Sequence, residues 1–204
     1  MREVYYIGGS PCSGKSTVAE NIARKYNLNY FKVDDFLDGY TEMGVISKKP
    51  ICVKLKKMSP EQIWMREPQI QNLEELQYYT EIFEFVMKDI NKISNKKGII
   101  TEGAAYLPHL ISGCNINPKH YVNITPTPEF QIYHFSKRPF VPVVLNSCSN
   151  KEIAFKNWMD RDILFANIVR QQSEEMGYKT LINDGMISIE KLVNDVCKQF
   201  FVEG

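Results

Sequence analysis

Gly9-Ser10-Pro11-Cys12-Ser13-Gly14-Lys15-Ser16, followed by Thr17, reads G-x-x-x-x-G-K-[ST] without a departure. A loop of this pattern turns successive backbone N–H groups inward and forms a nest for phosphate oxygens. Lys15 then reaches the β and γ phosphates as a point charge, and the Ser16 hydroxyl can sit on Mg²⁺. A helix opening behind the loop adds its positive end to the same anion site. Residues 9–17 are therefore expected to hold a nucleoside triphosphate, ATP or another, together with Mg²⁺.

Carboxylates appear where such a ligand needs them. Leu28-Asn-Tyr-Phe-Lys-Val33 has strand character and ends on Asp34-Asp35, and Gly98-Ile-Ile-Thr leads to Glu102-Gly103. In open α/β sheets ligands bind outside the carboxyl ends of the strands, so all three acids belong at one crevice. Asp34 or Asp35 suits a general base that takes the proton of an attacking hydroxyl. Glu102 occupies the position from which an acid holds the magnesium shell or orients a water, and Gly103 would let a ligand approach the backbone. Basic side chains to close over the γ-phosphate are offered by Arg138 and Arg161, then Arg170. Cys12, near a helix N-terminus, has a setting that tends to lower a thiol pKa. His109 lies nearest this edge, but a lone histidine reads as structural.

The elements that must position these residues follow from periodicity. Val4–Ile7 is a β-branched and aromatic run, and after the loop Val18, Ala19, Ile22, Ala23 and Tyr26 share one helical face. Strand, helix, strand implies a right-handed parallel crossover. Residues 37–58 read as loose and lysine-rich, either a solvated face or a mobile cap over an anionic substrate. Ser59-Pro60-Glu61-Gln62 opens a helix as a capping box, and Pro68 restarts it. Leu73, Leu76, Phe83, Val86, Ile90 and Ile93 carry a long helical stripe that Asn95-Lys-Lys-Gly98 closes. The fourth strand, His120–Ile124, runs into a helix capped by Thr127 with Pro128 at its first position, Ile132 and Phe135 facing inward. Phe140–Cys148 reads as irregular, and Ser149-Asn-Lys-Glu152 as a capping box for a long helix ending at Gly177. Lys179–Ile182 is the fifth strand, Asn183-Asp184-Gly185 its turn, and Ser188 caps a last helix burying Leu192, Val193, Val196 and Phe200. Five strands alternating with helices predict one doubly wound α/β domain.

The bulk numbers narrow the classes. A chain of 204 residues with formal charge +1 fits one domain, or a core with an inserted lid, and offers no field that would recruit nucleic acid. Five scattered cysteines without a C-x-x-C pair suit reduced thiols. The absence of an apolar leader or membrane-length run leads to the expectation of a cytoplasmic protein with no membrane partner.

The loop Gly9 to Thr17, the Asp34-Asp35 strand end, Ile99 to Gly103, the Ile124-Thr-Pro-Thr-Pro128 helix start and Asn183-Asp184-Gly185 together resemble small P-loop kinases. These form the adenylate-kinase-like group of nucleotide, shikimate, gluconate and antibiotic kinases. The resemblance implies a three-layer α/β P-loop NTPase fold whose five-stranded parallel sheet has the order 2-3-1-4-5, flanked by helices. It also implies a single domain over residues 1–204, with a cap near 37–67 and a lid near 138–160. By the same likeness Asp34 is the substrate-side acid, Arg138 a basic residue beside the donor base, and Arg161 a lid arginine. The stretch between Asp35 and Pro68 shows no nucleoside-monophosphate pocket, and Phe140 to Cys148 carries no charge. The expected function is ATP-dependent transfer of the γ-phosphate to a hydroxyl of a small metabolite or nucleoside, by a monomer or homodimer. A nucleoside-monophosphate kinase and a nucleotide-dependent switch remain open beside it.

Overall fold

The computed structural model describes residues 3–93 and 97–201. In β1 (Val4–Gly8), Tyr5, Tyr6 and Ile7 are all buried, as a central parallel strand covered on both faces requires. β3 (Ile99–Glu102) pairs with it on one side and β4 (Tyr121–Pro126) on the other. β2 (Asn29–Lys32) and β5 (Lys179–Asn183) form the edges, giving the order β2-β3-β1-β4-β5 with every pair parallel. This is the sheet that the resemblance implied.

Helices cover both faces. On one, α1 (Lys15–Tyr26) and α10 (Ile189–Phe201) bring Val18, Ile22, Val193 and Val196 against Ile7, Ile100 and Ile124. On the other, α5 (Pro68–Lys92) and α9 (Lys151–Glu175) bring Ile82, Val86, Phe165 and Val169 against Tyr6, Ile99 and Tyr121. Ile7 and Ile22 lose all exposure, which stabilises the fold by about 1.5–3 kcal/mol each. Tyr26, expected on the inner face of α1, is 38 % exposed and stacks on Phe201 at 4.1 Å. No helix of the described residues is long and apolar enough to cross a membrane.

Residues 37–58 are not loose. They fold into α2 (Leu37–Ile46) and α3 (Pro50–Lys56), followed by α4 (Pro60–Trp64) with the expected Ser59–Gln62 capping box. Nor are the lysines simply solvated: Lys49 pairs with Glu84 at 2.7 Å and Lys54 with Glu74 at 2.5 Å, both on α5. Glu81 of α5 accepts the free N–H groups of Ile51 and Cys52 at 2.9 Å, which fixes the start of α3. Gly39 and Gly44 hide this helical stretch from propensity, and at Gly44 the reason is packing. A Cβ there would lie 2.7 Å from Cys52 Cβ and closer still to its Sγ. Gly44→Ala gains helix propensity of about 0.8–1.0 kcal/mol but overpacks the α2–α3 contact by about 1–3 kcal/mol. The expected outcome is a lower midpoint of thermal unfolding by calorimetry; a higher one would mean that α3 moves away freely.

The remaining departures share a cause. α5 buries Gln71, Asn72, Glu74 and Glu75 in its first half and leaves Leu73 60 % exposed. α7 (Pro128–Phe135) buries Gln131 and leaves the expected inward residue Ile132 41 % exposed. In both stretches polar side chains take the buried side, so the apolar stripe does not mark it. The stretch from Phe140 contains α8 (Phe140–Val144), and α6 (Pro108–Ser112) follows β3. Asn150, not Ser149, caps α9 by accepting the N–H groups of Glu152 and Ile153. Ser149 instead donates its N–H and hydroxyl to the Glu61 carboxylate, both at 2.7 Å, tying the start of α9 to α4. α5 ends at Lys92 before Ile93; Asn95 and Lys96 of the expected stop lie outside the described residues.

Candidate functional site

The loop between β1 and α1 is held by backbone geometry. Gly9 has φ 119°, and a Cβ there would come within 2.7 Å of the Ile124 carbonyl carbon on β4. Cys12 is left-handed at φ 62° although it is not glycine, a conformation that the surrounding fold must impose. Asn183, at the end of β5, donates its side-chain N–H to the Ser13 carbonyl at 3.1 Å and pins the loop from the far side of the sheet. Lys15 is buried, and its ammonium donates to the Ser10 carbonyl at 2.7 Å, so the cation lies over the loop. The Ser13 hydroxyl is buried without a hydrogen-bond partner.

The loop opens on a cavity of about 360 Å³ walled by Pro11 to Thr17, Lys32, Asp34, Glu102, Phe135, Arg138 and Phe140. Gly9 and Ser10 form the foot of the loop behind it. Asp34 and Asp35 sit in a 3₁₀ turn, Val33–Phe36, after β2, where successive side chains diverge by a third of a turn. Asp34 accordingly faces the cavity. Asp35 points outward, 63 % exposed, 3.6 Å from Lys32.

Glu102 ends β3 beside Ile7 and Lys32 in register and is almost wholly buried. One of its oxygens accepts the Ser16 hydroxyl at 2.9 Å and the Tyr30 hydroxyl at 3.1 Å. Burial pushes the Glu102 carboxyl up, with the Lys15 charge pulling it back. A hydroxyl against a carboxylate is a hard-oxygen pair suited to Mg²⁺, which takes few protein ligands and completes its shell with water and phosphate. Among the described residues no cluster of three or more acids, histidines or cysteines offers a different metal site. Gly103 serves packing rather than ligand approach, because a Cβ there would meet Val33 Cβ at 2.7 Å. The Cys12 thiol is also shifted against expectation: burial pushes it up, and the neighbouring Arg138 only partly offsets this. Arg138 itself stands on the cavity wall together with Phe135 and Phe140, whose rings meet edge-on with centroids 5.9 Å apart.

Arg161 is not on this wall. It projects from α9 toward α5, partly buried, 3.0 Å from Glu75 and 2.6 Å from Asp162, with its guanidinium 5.2 Å from the Trp64 ring. The Asp162 contact is close but misaligned, so Arg161 Nε and Asp162 Oδ1 are an ion pair without a hydrogen bond. Arg170 is a surface residue beside Glu174, and His109 is an exposed partner of Gln172. Arg161 instead lines a second cavity of about 200 Å³ with Trp64, Gln71, Glu75, Tyr78 and Tyr79. Lys32, Phe135 and Phe140 of the first cavity escaped the sequence reading as site residues, and of the second cavity it had singled out only Arg161, Tyr78 and Tyr79. Lys32, two residues before Asp34 on the same strand end, carried the only usable signal.

The acids beside Arg161 make a pH prediction. Burial pushes Glu75 up to about 8 and Asp162 up to about 6, against the Arg161 charge that pulls both down. Raised carboxyls bind more protons in the folded state than in the unfolded one, so their contribution falls as pH rises through these values. Glu61, Glu74, Glu84 and Asp195 are shifted downward and titrate below that window. The unfolding midpoint is expected to drop between pH 5.5 and 8.5, and Glu75→Gln to flatten that slope. A midpoint that climbs over this range, with Glu75→Gln leaving the slope unchanged, would contradict the assignment.

A model of the isopentenyl transferase family matches residues 2–112, which span the loop, Asp34 and Glu102. No curated protein sequence matches the chain. TT1252 from Thermus thermophilus superposes with a TM-score of 0.50 at 13 % identity, covering 98 % of this chain and 99 % of its own. A shikimate kinase from Acinetobacter baumannii, in complex with shikimate, gives a TM-score of 0.49 at 12 % identity over 97 % and 92 % of the two chains. The shared scaffold is a P-loop nucleotide-binding transferase fold.

Proposed function

The chain belongs to the isopentenyl transferase family, and we propose that it is a group transferase which moves the γ-phosphate of ATP onto a hydroxyl of a small metabolite or nucleoside. The observation that carries this reading is Asp34 facing the loop across the cavity that also holds Lys15, Ser16 and Glu102. Lys15 exchanges the Ser10 carbonyl for the β and γ phosphates, and loop N–H groups take their oxygens. Ser16, with Glu102 through water, would hold Mg²⁺, which neutralises charge on the transferring group. Asp34 accepts the acceptor's hydroxyl proton as its oxygen bonds to the γ-phosphorus. The bond from that phosphorus to the β–γ bridging oxygen breaks, and ADP leaves. Arg138 lies at the rim for the donor, and Phe135 and Phe140 help to exclude water, which otherwise competes for the phosphoryl group.

A second reading has its own support, because the family model spans the loop and the acids. In it the loop holds the diphosphate of an isopentenyl donor, whose carbon–oxygen bond breaks while Asp34 takes a proton from the nucleophile. The charged walls Lys32, Asp34, Glu102 and Arg138 favour the first reading over one that seats a five-carbon chain, although Pro11, Phe135 and Phe140 offer some apolar surface.

The test is label transfer from γ-labelled ATP, and separately consumption of an isopentenyl-type diphosphate, each against a panel of alcohols, nucleosides and nucleoside monophosphates. Label on a non-phosphorylated alcohol is the expected result. Diphosphate release from the prenyl donor overturns it in favour of the second reading. ATP hydrolysis stimulated only by a protein partner would mark a switch.

A further inference from the structure

Two hydroxyls converge on a single oxygen of Glu102. Ser16 donates to Oε1 at 2.9 Å and Tyr30 donates to the same atom at 3.1 Å. A carboxylate oxygen has two lone-pair sites, so Oε1 is filled, and Oε2 is the oxygen left to accept from a water on Mg²⁺. Ser16 belongs to the phosphate-loop pattern. Tyr30 does not: it comes from the edge strand β2, and it is not among the residues that wall the cavity.

Alternation along β2 brings it there. Phe31 enters the core on the α5 side and stacks on Phe36 at 5.0 Å, while Tyr30 turns to the α1 side and packs, partly buried, against that core. In the parallel register Tyr30 lies opposite Ile100, which makes Glu102 its diagonal neighbour on the same face. An aromatic side chain spans that distance.

Two lysines of the cavity could have taken this place and do not. Lys32 lies directly opposite Glu102, yet its ammonium is 3.6 Å from Asp35, and the Lys15 ammonium goes to the Ser10 carbonyl. A cation bonded to Glu102 would offset the charge that attracts Mg²⁺ and would repel the ion itself. A phenol hydroxyl fixes the carboxylate and leaves its charge in place.

We propose that Tyr30 is a positioning residue of the magnesium site, its hydroxyl holding Glu102 by Oε1 so that Oε2 serves the metal-bound water. This rests on the reading of the loop and Glu102 as the seat of an Mg²⁺–nucleotide complex.

Tyr30→Phe keeps the ring in the core and removes only the donor. Titration calorimetry of the full chain with a non-hydrolysable ATP analogue, over a series of Mg²⁺ concentrations and in EDTA, reads the metal without turnover. The Mg²⁺ concentration giving half of the gain in analogue affinity should rise by about 10- to 100-fold, the loss typical of an outer-shell partner. Affinity in EDTA should not change. In a Glu102→Gln background, whose amide oxygen can still accept both hydroxyls, Tyr30→Phe should shift the curve no further, because the two residues act as one unit. A hydroxyl with a structural role alone would lower the thermal midpoint and leave the Mg²⁺ curve in place, and that result overturns the proposal. So does an equal loss of affinity in EDTA, or a further shift in the Glu102→Gln background. A shifted curve without label transfer from ATP to any alcohol keeps the role of Tyr30 and sinks the kinase reading. Transfer with an unshifted curve does the reverse, and wild-type binding that ignores Mg²⁺ overturns the metal site together with the role of Tyr30.

Discussion

Lys15→Ala is expected to cut phosphoryl transfer by about 100- to 1,000-fold, the loss seen when a preorganised charge on the reacting group is removed. It should also weaken ATP binding by about 10- to 150-fold, the equivalent of one charge-assisted hydrogen bond of about 1.5–3 kcal/mol. The fold should survive, because the ammonium contacts the Ser10 carbonyl in its own loop and leaves the sheet pairing untouched. Titration calorimetry with ATP and a thermal melt separate the two effects. Unchanged ATP affinity in a folded variant would remove the loop from the mechanism.

Asp34→Asn keeps the shape and the hydrogen-bonding reach of the side chain but removes its basicity. Transfer should fall by about 100- to 10,000-fold, the range for a positioned general base, while ATP affinity stays within about twofold because the donor is held by the loop. Asp35→Asn should remain close to wild type, since that carboxylate is 63 % exposed and meets only Lys32 at 3.6 Å. The pair of variants decides between neighbours that composition treats alike. Loss of transfer in Asp35→Asn with retention in Asp34→Asn would reverse the assignment.

The contrast between those two acids shows what kind of information each level carries. The phosphate loop was legible because its requirements are local: glycine where φ is positive, a lysine one residue into the helix, a hydroxyl next to it. The β–α alternation was legible for a similar reason. Fully buried parallel strands read as short apolar runs, and α10 carries one clean apolar face. Capping chemistry at Ser59 and Thr127 was equally local, and both side chains accept the N–H groups expected of them.

Where the reading failed, a distant partner had replaced the local rule. Ser149 resembles a cap but bonds Glu61, 88 positions away in the chain. Gly44 resembles a helix breaker but makes room for Cys52. Leu73 and Ile132 follow the helical period yet face outward, since α5 buries Gln71, Asn72, Glu74 and Glu75 and α7 buries Gln131 in their place. Arg161 had the right charge in the right interval of sequence. Its direction was set by Glu75 and Asp162, so it belongs to the second cavity.

Sequence alone determined that this chain has a P-loop in an α/β sheet, because backbone conformation and strand burial constrain residue types within a few positions. Only the tertiary structure decided which acid faces the loop cavity and where Arg161 is paired. It alone brought Ser16 and Tyr30 together on one oxygen of Glu102. The physical reason is that a side chain's direction and its desolvation depend on neighbours contributed by other elements, and no spacing along the chain records them.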